Sequence, residues 1–330
     1  MKLVINTPGI YLCKRGECFS IQKDQEKQEI SAKKVEQILI TTRAALSTDA
    51  IELAVENNVD IVFLKYSGQP LGRVWHSRLG SISTIRRKQL FLQDHSLGLK
   101  LVKSWIAKKL ENQINHLEKL SVNRRDERQE EIITAIDKIN MQREKIGKLD
   151  SRKTVEELRG TLLGSEGTAG RVYFETLGKI LPKKYQFSGR SKNPAKDPFN
   201  CLLNYSYGIL YSNVEKACIL AGLDPYIGIM HTDNYNKKAL VFDIIEMYRI
   251  QMEELVVQLF AKRKIKVEFF DEIEGGYYLN KKGKQALLEV YHKDMEKKVR
   301  YHGRNIEKQN IIQFECHRIA NLILEEGPTC

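Results

Sequence analysis

The sequence predicts an α+β protein, with a small N-terminal β-rich domain over residues 1–82 and a larger all-α domain over residues 83–330 that carries the candidate metal site. Three observations predict it. Before Ile82, short β-branched runs alternate with Pro/Gly turns. Beyond it, strand signals almost vanish and apolar residues recur at helical spacing. Charge divides at the same place: residues 1–82 hold eleven Lys/Arg against nine Asp/Glu, so most of the net charge of +12 lies in the second part.

In the first part, Leu3–Asn6, Ile10–Lys14 and Cys18–Lys23 are β-prone runs separated by Thr7-Pro8-Gly9 and Arg15-Gly16, and are expected to form an antiparallel meander. Val35–Thr42 is β-branched and apolar, and Ser47-Thr48-Asp49 caps a short helix through Glu56. Asp60–Tyr66 reads as a buried strand, Ser67–Pro70 as a turn, Leu71–Trp75 as the last strand and Gly80–Thr84 as a linker. Ile85–Leu120 is strongly helical, Asn123–Glu130 reads as a charged connection, and Ile132–Lys148 resumes the helical period. Residues 85–148 are therefore expected as an antiparallel helical hairpin.

Next comes a polar patch inside a helix, Gly164–Phe174, where Gly164, Gly167 and Gly170 each cost about 1 kcal/mol relative to alanine. Close approach of another backbone or of a ligand would explain them. Glu166 in this patch is either a functional acid or the cap of an interrupted helix. The loop Lys183–Lys196 carries Lys183, Lys184, Arg190, Lys192 and Lys196 with Tyr185 and Phe187, a pattern that suits phosphates and unpaired bases and equally any basic surface loop. Asp197-Pro198 opens a core helix that runs to Leu220, and Gly222 with Pro225 stops it.

His231 lies on the following connection, and after the turn Thr232–Lys238 a helix is expected to open on Asp243, Glu246 and Arg249. Asp243 and Glu246 are three apart, hence on one face, about 5–6 Å apart at Cβ. With Glu253 and Glu254 they could form a solvated stripe, but Leu240, Val241, Phe242, Ile244 and Ile245 surround them with apolar bulk. Two like charges about 4 Å apart cost on the order of 4 kcal/mol at an effective dielectric of 20, so a buried pair needs a cation, a proton or an arginine. Further on, Lys262–Lys266 is a basic end and Val267–Tyr278 a short hairpin. Helices are expected over Lys284–Tyr301 and Asn305–Glu325, a stretch that carries Arg300, His302, Arg304 and Arg318. Cys316-His317 reads as core packing, with no second pair to complete a metal site.

Six cysteines without C-x-x-C spacing read as free thiols, which indicates a cytoplasmic protein. MKLVINTPGIYLCKRG lacks a secretory apolar core, and no stretch approaches the ~20 apolar residues of a membrane span. The basic balance points to a polyanionic partner, and no helix-turn-helix recognition helix is found.

Three motifs stand in order behind a β-rich segment ending near LGRVW: EGTAGRVYF at Glu166–Phe174, DPFNCLLNYSYGILY at Asp197–Tyr211, and GLDPYIGIMHTDNYNKKALVFDIIEMYR at Gly222–Arg249. Together they resemble the CRISPR adaptation integrases, the family of the first-numbered Cas protein, over nearly the whole chain. Ser206, Asp197 and Ile250 depart from the family's usual Gly, Asn and Pro, and none is a proposed ligand. The resemblance implies that Glu166, His231 and Glu246 bind a divalent metal, with Asp243 a neighbouring acid needed for activity. Two carboxylates and an imidazole suit Mn²⁺ or Mg²⁺ better than Zn²⁺.

The implied activity is that of a DNA endonuclease and integrase of spacer acquisition, which joins 3′-OH ends of short foreign DNA to the CRISPR repeat by transesterification. The implied partners are double-stranded DNA with 3′ ends, the repeat and leader, a second copy bound through the β domain, and the small second Cas protein. DNA contacts are expected from Arg171, Lys183, Lys184, Arg190, Lys192, Arg249, Arg300 and Arg304. The alternative is a catalytically degenerate DNA-binding scaffold whose carboxylates only hold helices together.

Overall fold

The computed structural model describes residues 1–65, 70–74, 83–122, 124–232 and 237–329. All but the last residue of the expected turn at Ser67–Pro70, most of the linker at Gly80–Thr84 and the middle of the turn at Thr232–Lys238 lie outside these residues. The first part contains β1 (Lys2–Ile5), β2 (Tyr11–Arg15), β3 (Cys18–Lys23), β4 (Glu26–Ser31), β5 (Gln37–Ile40), β6 (Ala45–Leu46), α1 (Thr48–Glu56), β7 (Asp60–Leu64) and β8 (Pro70–Val74).

These strands form two sheets, ordered β1-β5-β7-β8 and β4-β3-β2-β6. The expected three-strand meander is therefore corrected. β2 and β3 pair antiparallel, but β1 leaves them to run parallel to β5, and the third antiparallel strand is β4. The reason lies in burial. All four residues of β5 are buried, and its alternate side chains serve two cores. Ile38, Ile40 and Ile61 pack into the N-terminal core, whereas Leu39, Val62 and Leu64 pack into the helical one. A strand covered on both faces takes parallel neighbours, while the polar β4 (EKQEIS) gives no apolar alternation to read. Ser47 caps α1 by accepting from Ala50 N.

The second part contains α2 (Ser83–Leu90), α3 (Ser96–Ser121), α4 (Glu127–Gly147), α5 (Val155–Ile180), α6 (Pro198–Ala221), α7 (Ala239–Ile245), α8 (Arg249–Ala261), β9 (Phe270–Ile273), β10 (Gly276–Leu279), α9 (Lys281–Met295), β11 (Lys298–Tyr301), β12 (Arg304–Glu307) and α10 (Lys308–Glu326). The helical hairpin is α3 with α4. α2 is separated from it by a tight turn over Leu92–Asp94, where a Cβ on Gly98 would lie 1.8 Å from the Leu92 carbonyl oxygen. α5 runs through Glu166 without interruption, its start fixed by a Thr154/Glu157 capping box. No backbone approaches the three glycines around Glu166: a Cβ on Gly164, Gly167 or Gly170 would meet nothing within 4 Å. Gly170, one turn beyond Glu166, leaves that face of α5 open.

α6 begins as expected, with Asp197 accepting from Asn200 N at 2.7 Å and Pro198 in the first turn, and ends at Gly222 with φ 83°. It is buried along most of its length and forms the axis of this part. The expected helix over Lys284–Tyr301 is corrected to α9 followed by the β11–β12 hairpin, which turns on His302 (φ 45°) and Gly303 (φ 78°), both in the left-handed region that two-residue hairpin turns require. Cys316 is buried and His317 exposed, so the pair does not act together.

The two parts are pinned by ion pairs. Arg73 on β8 sits 3.0 Å from buried Asp60 and donates to the Ser212 carbonyl on α6 at 2.7 Å. Glu215, also on α6, lies 3.8 Å from Arg73 and 2.7 Å from Lys238, which immediately precedes α7. The β sheet thus holds the axis helix and, through it, the segment that leads into the candidate site. Among the described residues, no helix is long and apolar enough to cross a membrane.

Candidate metal centre

The loop between α6 and α7 is folded onto the helix that follows it. A Cβ on Gly228 would lie 2.3 Å from the His231 carbonyl oxygen and 2.6 Å from Ala239 Cβ, so only glycine fits where the loop doubles back. Leu240 N donates to the Pro225 carbonyl at 3.1 Å. Asp243, on α7 and 1% exposed, organises the loop from beneath. Its carboxylate accepts from the backbone N–H groups of Ile229 (2.7 Å), Met230 (3.1 Å) and His231 (3.0 Å). His231 Nδ1 stands 2.6 Å from the same carboxylate. An ionised carboxylate can only accept, so Nδ1–H donates to it and the Nε2 lone pair is left for a ligand.

Glu246 does something different. The expected single helix breaks after Ile245: Met247 N and Tyr248 N donate to Ile244 and Ile245 carbonyls in a tight turn, and Asn112 on α3 captures the Met247 carbonyl at 3.0 Å. Glu246 sits at this break, 6% exposed, and Arg249 Nε donates to it at 2.8 Å. The Arg249 guanidinium also donates to the Tyr211 hydroxyl at 2.9 Å and stacks 4.7 Å from the Tyr207 ring. Lys109 on α3 places its Nζ 2.6 Å from Glu246 and, on its other side, against Glu166 of α5. Burial pushes the Glu246 carboxyl up, but Arg249 and Lys109 together outweigh it and hold it at about 2. Asp243 and Glu246 therefore do not act as a pair, because each has its own set of donors.

The acidic stripe is not solvated. Glu253 is 1% exposed and accepts from the Tyr207 hydroxyl at 2.5 Å, burial pushing its carboxyl up. Tyr173 bonds to Glu253 from α5 and stands 2.7 Å from His116 Nδ1 on α3, so a buried polar chain ties α3, α5, α6 and α8 together beneath Arg249. Only Glu254 reaches the surface, where Lys119 meets it at 2.9 Å.

The structure brings Glu166 to Glu246 across Lys109, and His231 to Asp243. It does not merge the two pairs: among the described residues, no three His, Cys, Asp or Glu side chains stand close enough to hold a metal ion. The donor chemistry nevertheless fits a hard divalent cation. Two carboxylates from different elements converge on a single positive charge, and the imidazole of the loop before α7 is fixed by a buried carboxylate in the manner of metal-ligating histidines.

Beside the site a cleft of about 420 Å³ is lined by Arg190, Lys192, Tyr207, Tyr211, Lys238 and Arg249. Of the expected DNA contacts, Arg171, Lys183, Lys184 and Lys192 are exposed, and Arg300 and Arg304 are exposed on the β11–β12 hairpin. Arg249 is engaged as described. Arg190 is likewise committed within the protein, bonded to Asn200 and Asn204 and lying 5.2 Å from the Phe174 ring and 5.4 Å from the Tyr207 ring. Sequence reasoning missed Lys109. Its signal was present: one turn beyond Trp105 and beside Leu110, it is a lone lysine on the buried stripe of α3.

Residues 3–293 match the family model of the CRISPR associated protein Cas1. The chain is 33% identical to a CRISPR-associated endonuclease Cas1 of Archaeoglobus fulgidus, over 99% of this chain and 97% of that protein. Its fold resembles that of a casposase solved bound to integration product, with a TM-score of 0.82 and 21% identity over 99% of this chain and 92% of that one. It also resembles a chain of a Cas6-RT-Cas1–Cas2 complex, with a TM-score of 0.80 and 20% identity over 99% of this chain and 35% of that one. The order of motifs, the two-part fold and the match along most of its length agree: the chain belongs to the Cas1 family of CRISPR-associated endonucleases.

Proposed function

We propose that the protein is a divalent-metal-dependent DNA integrase and endonuclease of spacer acquisition, with Glu166, His231 and Glu246 as ligands of Mn²⁺ or Mg²⁺ and Asp243 as the acid that fixes His231. The observations that carry this reading are the convergence of Glu166 and Glu246 on one cation and a histidine whose Nδ1 is held by Asp243. When bound, the divalent ion would stabilise charge on a phosphodiester and ease ionisation of the attacking hydroxyl.

The chain's own residues do the rest. Arg249 keeps Glu246 ionised, Asp243 holds the His231 ring in one tautomer, and Lys192 and Lys237 present exposed positive charge along the cleft, where a phosphate backbone can lie. In the transfer, a bond forms between the 3′-oxygen of the incoming DNA and a phosphorus of the repeat, which releases the repeat's own 3′-oxygen. Water in place of the 3′-hydroxyl gives hydrolysis. The chain acts as a homodimer through its β domain, together with the small second Cas protein. The fold shared with a chain solved in a Cas6-RT-Cas1–Cas2 complex supports the second of these partners.

Strand transfer of a 3′-OH oligonucleotide into supercoiled plasmid, with and without Mn²⁺, tests the reading. Transfer is expected to need the metal and to vanish in Glu166→Ala. Undiminished transfer in that variant or in chelator would sink the metal assignment. One observation favours the scaffold alternative: Lys109 bridges α5 and the α7–α8 break through these carboxylates. A scaffold binds the same DNA and yields no transfer product under any metal.

A further inference from the structure

We propose that Lys109 is a displaceable internal cation. Its ammonium joins Glu166 to Glu246, and it must vacate the carboxylates when a divalent ion enters, so it competes with the metal for the site. The inference rests on the metal reading given above and concerns what sets the affinity of that site.

Charge counting carries the argument. Lys109 is 7% exposed, and its ammonium contacts one carboxylate on α5 and another at the α7–α8 break. Glu166 and Glu246 contribute two negative charges, and Lys109 and Arg249 two positive ones, so these four groups are neutral together. A divalent ion added to them would leave two uncompensated positive charges within a largely buried cluster, which is unfavourable unless a resident cation leaves.

Arg249 is not the one to leave. Its Nε and Nη2 are bonded to Glu246 and Tyr211 while its plane stacks on Tyr207, and such a fork is held rigidly. Lys109 carries its charge on a flexible four-carbon stem and is held by the very oxygens the metal would take. The same displacement would free an ammonium at the site when the ion, and with it a phosphate, arrives.

The test uses full-length protein and Mn²⁺ alone, titrated calorimetrically into wild type, Lys109→Met, Lys109→Gln and Glu166→Ala, with thermal unfolding in chelator and in Mn²⁺. The neutral Lys109 variants should bind Mn²⁺ about tenfold tighter or more, since a competing charge is gone. They should also melt lower than wild type in chelator and recover in Mn²⁺, because the metal replaces the lost bridge. If wild type binds Mn²⁺ and Glu166→Ala does not, yet both neutral variants bind equally or more weakly, the competition is overturned and the metal site stands. If wild type binds none, or Glu166→Ala binds as wild type does, the metal reading falls and the inference with it. Neutral variants that remain unfolded in saturating Mn²⁺ would also overturn it.

Discussion

Replacing Asp243 probes how much of the loop depends on one side chain. Its carboxylate satisfies three backbone N–H groups at 2.7, 3.1 and 3.0 Å, two of them from the buried residues Ile229 and Met230. Asp243→Ala strands those two donors away from water at about 1–3 kcal/mol each and removes a charge-assisted bond to His231 worth about 1.5–3 kcal/mol, so a loss of about 4–9 kcal/mol is expected. That is a large share of the ~5–15 kcal/mol that holds a typical domain together.

Asp243→Asn keeps one acceptor oxygen and should cost about 2 kcal/mol. Its amide can, however, donate to Nδ1, which moves the ring proton to Nε2 and removes the lone pair a metal needs. Stability should therefore rank wild type, Asn, Ala, whereas Mn²⁺ affinity should fall about 10–100-fold in both variants. Urea unfolding in chelator gives the first ranking and calorimetric titration the second. An Asp243→Ala protein that unfolds within about 0.5 kcal/mol of wild type would refute the reasoning, since it would mean that water satisfies the loop amides.

Two other outcomes follow from the geometry. Gly228→Ala drives a Cβ to 2.3 Å from the His231 carbonyl oxygen, so thermal unfolding should show a clear loss of stability and the loop should lose its hold on His231. His116 is buried beside the Tyr173 hydroxyl, with Glu254 and Lys119 nearby, and burial pushes its ring down to about 4. The unfolded chain then takes up this proton first as pH falls, so the contribution is intact above the ordinary value near 6.5 and is lost toward pH 4. It amounts to about 3 kcal/mol, and in urea unfolding across pH 7 to 4 the slope should flatten in His116→Gln.

The sequence was most legible where one chemical signal decides a local structure. Asp197-Pro198 and Gly222 marked the ends of α6 because a cap, a fixed φ and a left-handed residue act within a few positions. The proposed ligands Glu166, His231 and Glu246, with Asp243, come from the three motifs rather than from spacing. What spacing suggested, a carboxylate pair on one face, failed because the helix breaks after Ile245 and each acid turns to different donors. The β1–β5 pairing was illegible for a similar reason: β1 has the same alternation in either sheet, and only the two-sided burial of β5 selects the parallel arrangement. The β11–β12 hairpin had a readable signal in His302-Gly303, overridden by the helical character of what precedes it. Lys109 depends wholly on tertiary packing, since its partners lie on α5 and beyond α7.

The central claim is that Glu166, Glu246 and His231 together hold one divalent cation. Diffraction from crystals grown in Mn²⁺ and measured at the manganese absorption edge tests it directly. The account predicts a single anomalous peak bonded to both carboxylates and to His231 Nε2, with Asp243 still on Nδ1 and the Lys109 ammonium withdrawn from between the glutamates. The absence of a peak at saturating Mn²⁺, with Lys109 still bridging Glu166 and Glu246, would contradict it.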